Sequence, residues 1–169
     1  MSTPENLVWQ FDLVWSLAQL HLDALVEADF LWEPAEITWT VHRSDDGLWR
    51  PDFSEDDLDP IPVPTIAWLT WHIDWWWSTA LAAAQGGVAP DGAEMRWPGT
   101  GAAAVGRIRA LATAWRLVLS DADLNRPITY PWDEPKSLAH TASWVNVELT
   151  KNIAELGQLR LLRAATPAV

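Results

Sequence analysis

Four polar side chains in two segments of the chain have the types and spacing that suit metal chemistry. His72 lies in residues 65–81, among five tryptophans. Glu148, Asn152 and Glu155 follow at i, i+4 and i+7 near the C-terminus, a spacing that places them on one face of a helix. An imidazole, a carboxylate and a third nitrogen or oxygen donor suit Zn, Ni, Mn or Fe with open coordination positions. The sequence therefore predicts a divalent metal site formed by His72, Glu148 and Asn152.

The same residues also have an interpretation without a metal. A lone histidine among tryptophans is more often a hydrogen-bonded core residue than a ligand. Glu148 can pair with Lys151 or Asn152, and Glu155 with Lys151 or Arg160, on a solvated helix face. Asn152 is a weak third ligand because its neutral amide oxygen supplies no charge, and Glu155 could compensate or merely accept a hydrogen bond. The spacing alone leaves both interpretations open.

The remaining histidines fit a site less well. His21 lies on the first predicted helix, His42 lies in an acidic loop, and His140 lies away from the apolar stripe of the last helix. The acidic loop, residues 45–59, lacks the order of acidic residues that an EF-hand requires, so we expect a solvated loop rather than a calcium site.

Composition argues against several other classes of function. A net charge of −12 argues against a nucleic-acid partner, since such proteins usually need a basic patch to release counterions. Without cysteine the chain has no disulfide, thiolate nucleophile or cysteine-type metal site. The N-terminus does not resemble a signal peptide, and no long apolar run suggests a membrane span. We expect a soluble, cytoplasmic protein with one domain, residues 1–169, and no membrane partner.

The chain contains 14 tryptophans, which is unusual for its length. Those beside His72 point in all directions around a helix, so some must cover a loop, a cavity mouth or a second subunit. They are Trp68, Trp71, Trp75, Trp76 and Trp77. Packing in the core and in a homodimer is one interpretation. The other is an aromatic-walled pocket, in which we predict that Trp68 and Trp76 contact a cofactor or substrate.

Four amphipathic segments must position these residues, because their apolar side chains recur at three-to-four spacing. The predicted helices run from Glu5 to about Ala28, from Pro64 and Thr65 to Gln85, from about Thr100 to Leu119, and from about Pro135 to Ala164. Proline and glycine confine residues 30–64, 86–99 and 125–135 to loops, with short extended pieces around residues 37–42. The pattern predicts an all-α four-helix bundle with long connections after helices one and two.

Several segments together resemble the DinB/YfiT-like superfamily of metalloenzymes, and they span nearly the whole chain. They are TIAWLTWHIDWWW on helix two, the WEP and WTVHR sequences between Trp32 and Arg43, DGLWRPDF after them, and ASWVNVELTKNIAELGQLRLLRA on helix four. The resemblance implies a DinB/YfiT-type four-helix bundle in which one His of helix two and two ligands four residues apart on helix four hold a divalent metal. His72 and Glu148 match this pattern by position. Asn152 stands where relatives such as the isomerase below have a second His.

The resemblance also implies two hypotheses for function. Relatives include thiol-dependent S-transferases and a mycothiol-dependent maleylpyruvate isomerase, which suggests a metal-dependent transferase or isomerase. Its Zn or Ni would bind a low-molecular-weight thiol such as mycothiol as the nucleophile, with Glu155 as a catalytic base. The alternative is a non-catalytic module that has lost the metal and binds a small molecule or forms a homodimer. A stress-response role fits both hypotheses, and the third ligand discriminates between them.

Overall fold

The fold is all-α, as predicted. The computed structural model describes residues 2–54 and 58–166. Its helices are α1 (Thr3–Leu22), α2 (Glu27–Phe30), α3 (Ile66–Gln85), α4 (Gly101–Asp121) and α5 (Leu138–Ala165). Short strands lie in the connections: β1 (Thr38–Trp39), β2 (Val41–Arg43), β3 (Trp49–Pro51), β4 (Val63–Pro64), β5 (Pro127–Ile128) and β6 (Lys136–Ser137).

The first helix is shorter at its C-terminus than the sequence predicts. It begins with a capping box in which Ser2 and Glu5 satisfy each other's backbone N–H groups. It ends at Leu22 rather than near Ala28 because the backbone is extended at Val26, with φ −113° and ψ 158°. The Asp29 carboxylate accepts the Val26 N–H at 2.9 Å and thereby starts the separate helix α2.

Helix α3 carries His72 and begins and ends where the sequence predicts. Thr65 is the N-cap, and its hydroxyl accepts the backbone N–H of Trp68 at 3.2 Å. Gly86 ends the helix in the left-handed conformation, with φ 68°, which glycine adopts without steric cost. Helix α5, which carries the other three candidate residues, is likewise capped at its start by Ser137.

The four long helices enclose one apolar core. Helix α1 packs against α4 and α5, and α3 packs against the same two helices, so each long helix touches two others. The largest fully buried side chains include Trp71, Trp77, Trp115 and Phe11. This arrangement brings the tryptophan-rich surface of α3 against α5, which carries the polar candidates.

The connections are long after α1 and α3, as predicted. The expected extended pieces around residues 37–42 are present, since β1 pairs with β4 in parallel and β2 pairs with β3 in antiparallel. Part of the acidic loop, residues 55–57, lies outside the described residues. None of the helices in residues 2–54 and 58–166 combines the length and the apolar character needed to cross a membrane.

Candidate functional site

His72 lies on the side of α3 that faces α5, beneath a layer of indole rings. Its side chain is 23% exposed. Trp68, one turn earlier, stacks on the imidazole with ring centroids 5.0 Å apart and planes inclined by 12°. Burial lowers the pKa of His72 to about 4, and the nearby Lys151 charge adds to this effect while Glu148 opposes it. The imidazole is therefore neutral near pH 7, a state that could bind a metal.

Glu148 reaches His72 from α5, but it is already paired with a cation. Its Oε1 lies 3.9 Å from His72 Nε2, which is too far for a hydrogen bond, and the neutral imidazole makes no ion pair. The same Oε1 lies 2.5 Å from Lys151 Nζ. The pairing of Glu148 with Lys151, one of the interpretations without a metal, is confirmed. The ammonium group neutralises the carboxylate that a metal would need.

Asn152 is buried between the two helices and uses both ends of its amide. Its Oδ1 accepts a hydrogen bond from Trp76 Nε1 at 3.0 Å, and its Nδ2 donates to Glu155 Oε2 at 3.1 Å. Asn152 is 1% exposed and Trp76 4% exposed, so this hydrogen bond is shielded from water. Glu155 itself is exposed on α5. The amide therefore joins α5 to α3 and orients the Glu155 carboxylate.

The donor set can be compared with the requirements of a three-ligand metal centre. Tetrahedral N and O ligands at about 2.1 Å place neighbouring donor atoms about 3.4 Å apart. The 3.9 Å between His72 Nε2 and Glu148 Oε1 is therefore only slightly too long. The third oxygen, on Asn152, accepts the indole N–H instead. Within residues 2–54 and 58–166, no group of three His, Cys, Asp or Glu side chains could hold a metal.

The imidazole of His72 also lacks the hydrogen bond that usually orients a metal-bound histidine. A metal-bound histidine almost always donates its other ring N–H to a carboxylate, carbonyl or water. His72 Nδ1 is buried, and among the described residues it has no hydrogen-bond partner. With Lys151 on the carboxylate as well, the side chains as arranged do not fit a three-ligand divalent metal. Metal binding by His72, Glu148 and Asn152 stays a prediction from the family resemblance.

The two tryptophans predicted to contact a ligand are engaged within the protein. Trp68 stacks on Trp39 and donates its indole N–H to the carbonyl of Asp52 at 2.7 Å. Trp76 packs edge-on against Trp144 and binds Asn152. Their contact with a cofactor stays a prediction. All five tryptophans of α3 are buried or half-buried within this chain, so they need no second subunit to cover them.

A cavity of about 380 Å³ lies on a neighbouring side of α3 and has a tryptophan wall. Trp71 and Trp75 form this wall with rings stacked at 5.6 Å, and both rings also contact His72. The loop at residues 91–96 and the segment at residues 50–53 complete it. The sequence did not distinguish these two indoles from their neighbours, because their exposure depends on where the two loops fold back.

The other histidines have local roles. His42 Nε2 lies 3.0 Å from an oxygen of Asp52, His140 is exposed beside Trp132, and His21 packs closely against Gly157.

A further polar group near the site, Tyr130, was not found from the sequence. Its hydroxyl donates to the backbone carbonyl of Trp76, and burial together with the Glu148 charge raises its pKa.

Comparison with known proteins places the chain in a family. No curated protein and no solved structure matches it. The model of the DinB superfamily matches residues 10–156, a span that contains α3, the two loops of the cavity and the polar residues of α5. Because the match covers most of the sequence, the chain belongs to the DinB superfamily.

Proposed function

We propose that this protein is a DinB-type four-helix bundle that binds a small molecule without a metal. In this proposal the ion pair of Glu148 and Lys151 takes the place of the divalent metal that the family resemblance implies. Binding of a small molecule rests on the tryptophan-walled cavity of about 380 Å³ beside α3. The observation that carries the loss of the metal is the 2.5 Å contact between Lys151 Nζ and Glu148 Oε1, the oxygen that also faces His72. The hydrogen bond from Trp76 to Asn152 supports it, because it occupies the third expected ligand.

Two substitutions that rebuild the metal-ligand set of the family pattern test this proposal. Lys151→Met removes the competing cation, and Asn152→His supplies the imidazole of the family pattern. We expect the double variant to bind zinc about 10- to 100-fold more tightly than the unmodified protein, the range that changes around metal ligands produce. Adding His72→Ala should abolish this gain, whereas adding His140→Ala at an exposed histidine should leave it. A double variant with unchanged zinc affinity would contradict the proposal.

A second candidate is a metal-dependent thiol transferase or isomerase, with zinc or nickel as the metal and mycothiol as the thiol. The observation that favours it is the neutral imidazole of His72 facing Glu148 across 3.9 Å. It requires Lys151, whose side chain is 51% exposed, to leave the carboxylate. It also requires the Asn152 amide to turn away from Trp76. Thiol transfer that needs added metal and is lost in both His72→Ala and Glu148→Gln would establish it.

In a second version of the binding module, the protein forms a homodimer through α1 rather than through the tryptophans of α3. Helix α1 exposes one apolar stripe: Trp9 at 55%, Leu13 at 48%, Leu17 at 49% and Leu20 at 67%. These positions fall within about 80° of one another at about 100° per residue. Light scattering on the protein and on Leu13→Glu would test this version of the binding module. A dimer that dissociates in the variant supports it, and a monomeric unmodified protein contradicts it.

A further inference from the structure

The tryptophan-walled cavity is built as a ligand site. Its volume of about 380 Å³ falls within the range of small-molecule pockets, and apolar groups predominate in its lining. Trp71 and Trp75 are parallel to within 21°, and Phe53 meets Trp75 edge-on at 6.0 Å. Flat aromatic walls favour a planar ring, which can stack or make edge contacts with the indoles.

The shape of the cavity depends on a close approach at Gly92. A Cβ atom added there would lie 2.5 Å from Cε2 of Trp75, closer than real contacts allow. The loop therefore rests directly on the indole ring and fixes the distance between the two sides of the cavity. Phe53, which is 60% exposed, stands at the rim.

Of the two arginines in the cavity lining, Arg96 is the one with donors left for an anion. Arg50 donates two hydrogen bonds to Asp46 and is thereby neutralised. Arg96 is half-buried, and one of its terminal nitrogens donates to the carbonyls of Ala93 and Met95. Among the described residues, no carboxylate lies within ion-pair distance of Arg96. A guanidinium group has five N–H donors in a planar fork, so donors remain for a ligand carboxylate.

The acid in the cavity lining bears on the same assignment. Asp91, the acid in the lining, accepts the N–H of Ala93 and is exposed, so water screens its charge. Arg96 therefore keeps unused donors at the cavity, whereas the acid in the lining is bound to its own loop.

We propose that this cavity binds a planar aromatic carboxylate, whose ring contacts Trp75 and Phe53 and whose carboxylate pairs with Arg96. This proposal rests on the proposed function only in taking the protein to bind a small molecule. The cavity lining includes neither Glu148, Lys151 nor Asn152, so binding in the cavity can be measured separately from metal binding by these residues.

Calorimetric titration with matched probes tests the proposal on the whole chain of 169 residues. The probes are 2-naphthoate, its neutral amide 2-naphthamide, and the cationic 2-naphthylmethylammonium. Naphthoate should bind at least about tenfold more tightly than either analogue, the size of a lost charge-assisted hydrogen bond. Arg96→Gln should reduce naphthoate affinity to that of the amide. Arg163→Gln, which changes an arginine 5.8 Å from Trp32, is the matched control and should have no effect.

A second pair of variants tests the walls without changing charge. Gly92→Ala forces the loop or the Trp75 ring to move and should weaken naphthoate binding at least about tenfold. Gly106→Ala on α4, where an added Cβ meets no atom within 4 Å, is the control and should leave affinity unchanged. Equal affinity for the three probes, preference for the cation, no binding, or unchanged affinity in both Arg96→Gln and Gly92→Ala would overturn the proposal. Zinc titration of the same samples reports separately on His72, Glu148 and Asn152.

Discussion

Replacing Asn152 with leucine should destabilise the metal-free protein, because the amide is a structural link between α5 and α3. Leucine has a similar volume but cannot accept the N–H of Trp76, which lies 3.0 Å from Asn152 Oδ1 and is shielded from water. A buried donor left unpaired costs about 1–3 kcal/mol. For a protein of this length each kcal/mol lowers Tm by about 2–4 °C, so Tm should fall by about 2–12 °C.

A double-mutant cycle isolates the hydrogen bond from the other effects of the substitution. Trp76→Phe removes the N–H donor, so Asn152→Leu should cost less in that background than in the unmodified protein. We expect a coupling energy of about 1–2 kcal/mol, within the range for residues in direct contact. Urea unfolding of the four proteins in the presence of a chelator measures it. Additive costs, or no loss of stability in Asn152→Leu, would refute the structural role of the amide.

Three further predictions concern stability. Because the folded pKa of His72 is about 4 and its unfolded value is 6.5, the unfolded chain binds the proton first as pH falls. Stability should therefore decrease between about pH 6.5 and pH 4, by about 3 kcal/mol in total, and His72→Gln should remove this part of the dependence in urea unfolding. Gly101→Ala should cost about 1–3 kcal/mol, since its Cβ would lie 2.1 Å from the buried ring of Phe30. Gly106→Ala, in open space on the same helix, should instead raise stability by about 0.5–1 kcal/mol, and thermal unfolding of the two variants should show opposite shifts.

The helices could be predicted where local chemistry determines their ends. Thr65 and Gly86 carry capping signals that act within one turn, and the predicted bounds of α3 are correct to within two residues of the structure. The end of α1 could not be predicted from apolar spacing, which continues past Leu22. It depends on the Asp29 carboxylate accepting the N–H of Val26, a contact that apolar periodicity does not report.

The candidate site could be predicted only in part for a similar reason. Spacing along α5 placed Glu148 and Asn152 on one face and offered Lys151 as a partner for Glu148, and both features are present. Spacing could not show that the amide oxygen of Asn152 accepts from Trp76, which is 76 residues away in the sequence. Whether Asn152 acts as a metal ligand or as a link between α5 and α3 depends on this hydrogen bond.

The cavity wall was unpredictable for a further reason. Five tryptophans on one helix differ little in local sequence, yet only Trp71 and Trp75 line the cavity with the loop at residues 91–96. That loop can rest on Trp75 because residue 92 is glycine. A single glycine in a polar loop gives no indication, from the sequence alone, of which aromatic ring it will touch.

The most direct test of the central claim is the metal content of the purified, tag-free protein, measured by elemental analysis and followed by titration with zinc, nickel and manganese. We expect no stoichiometric metal and no tight binding, because Lys151 neutralises Glu148 and Asn152 is bound to Trp76. One tightly bound metal ion per chain, lost in His72→Ala and retained in His140→Ala, would contradict the account and establish the three-residue metal centre.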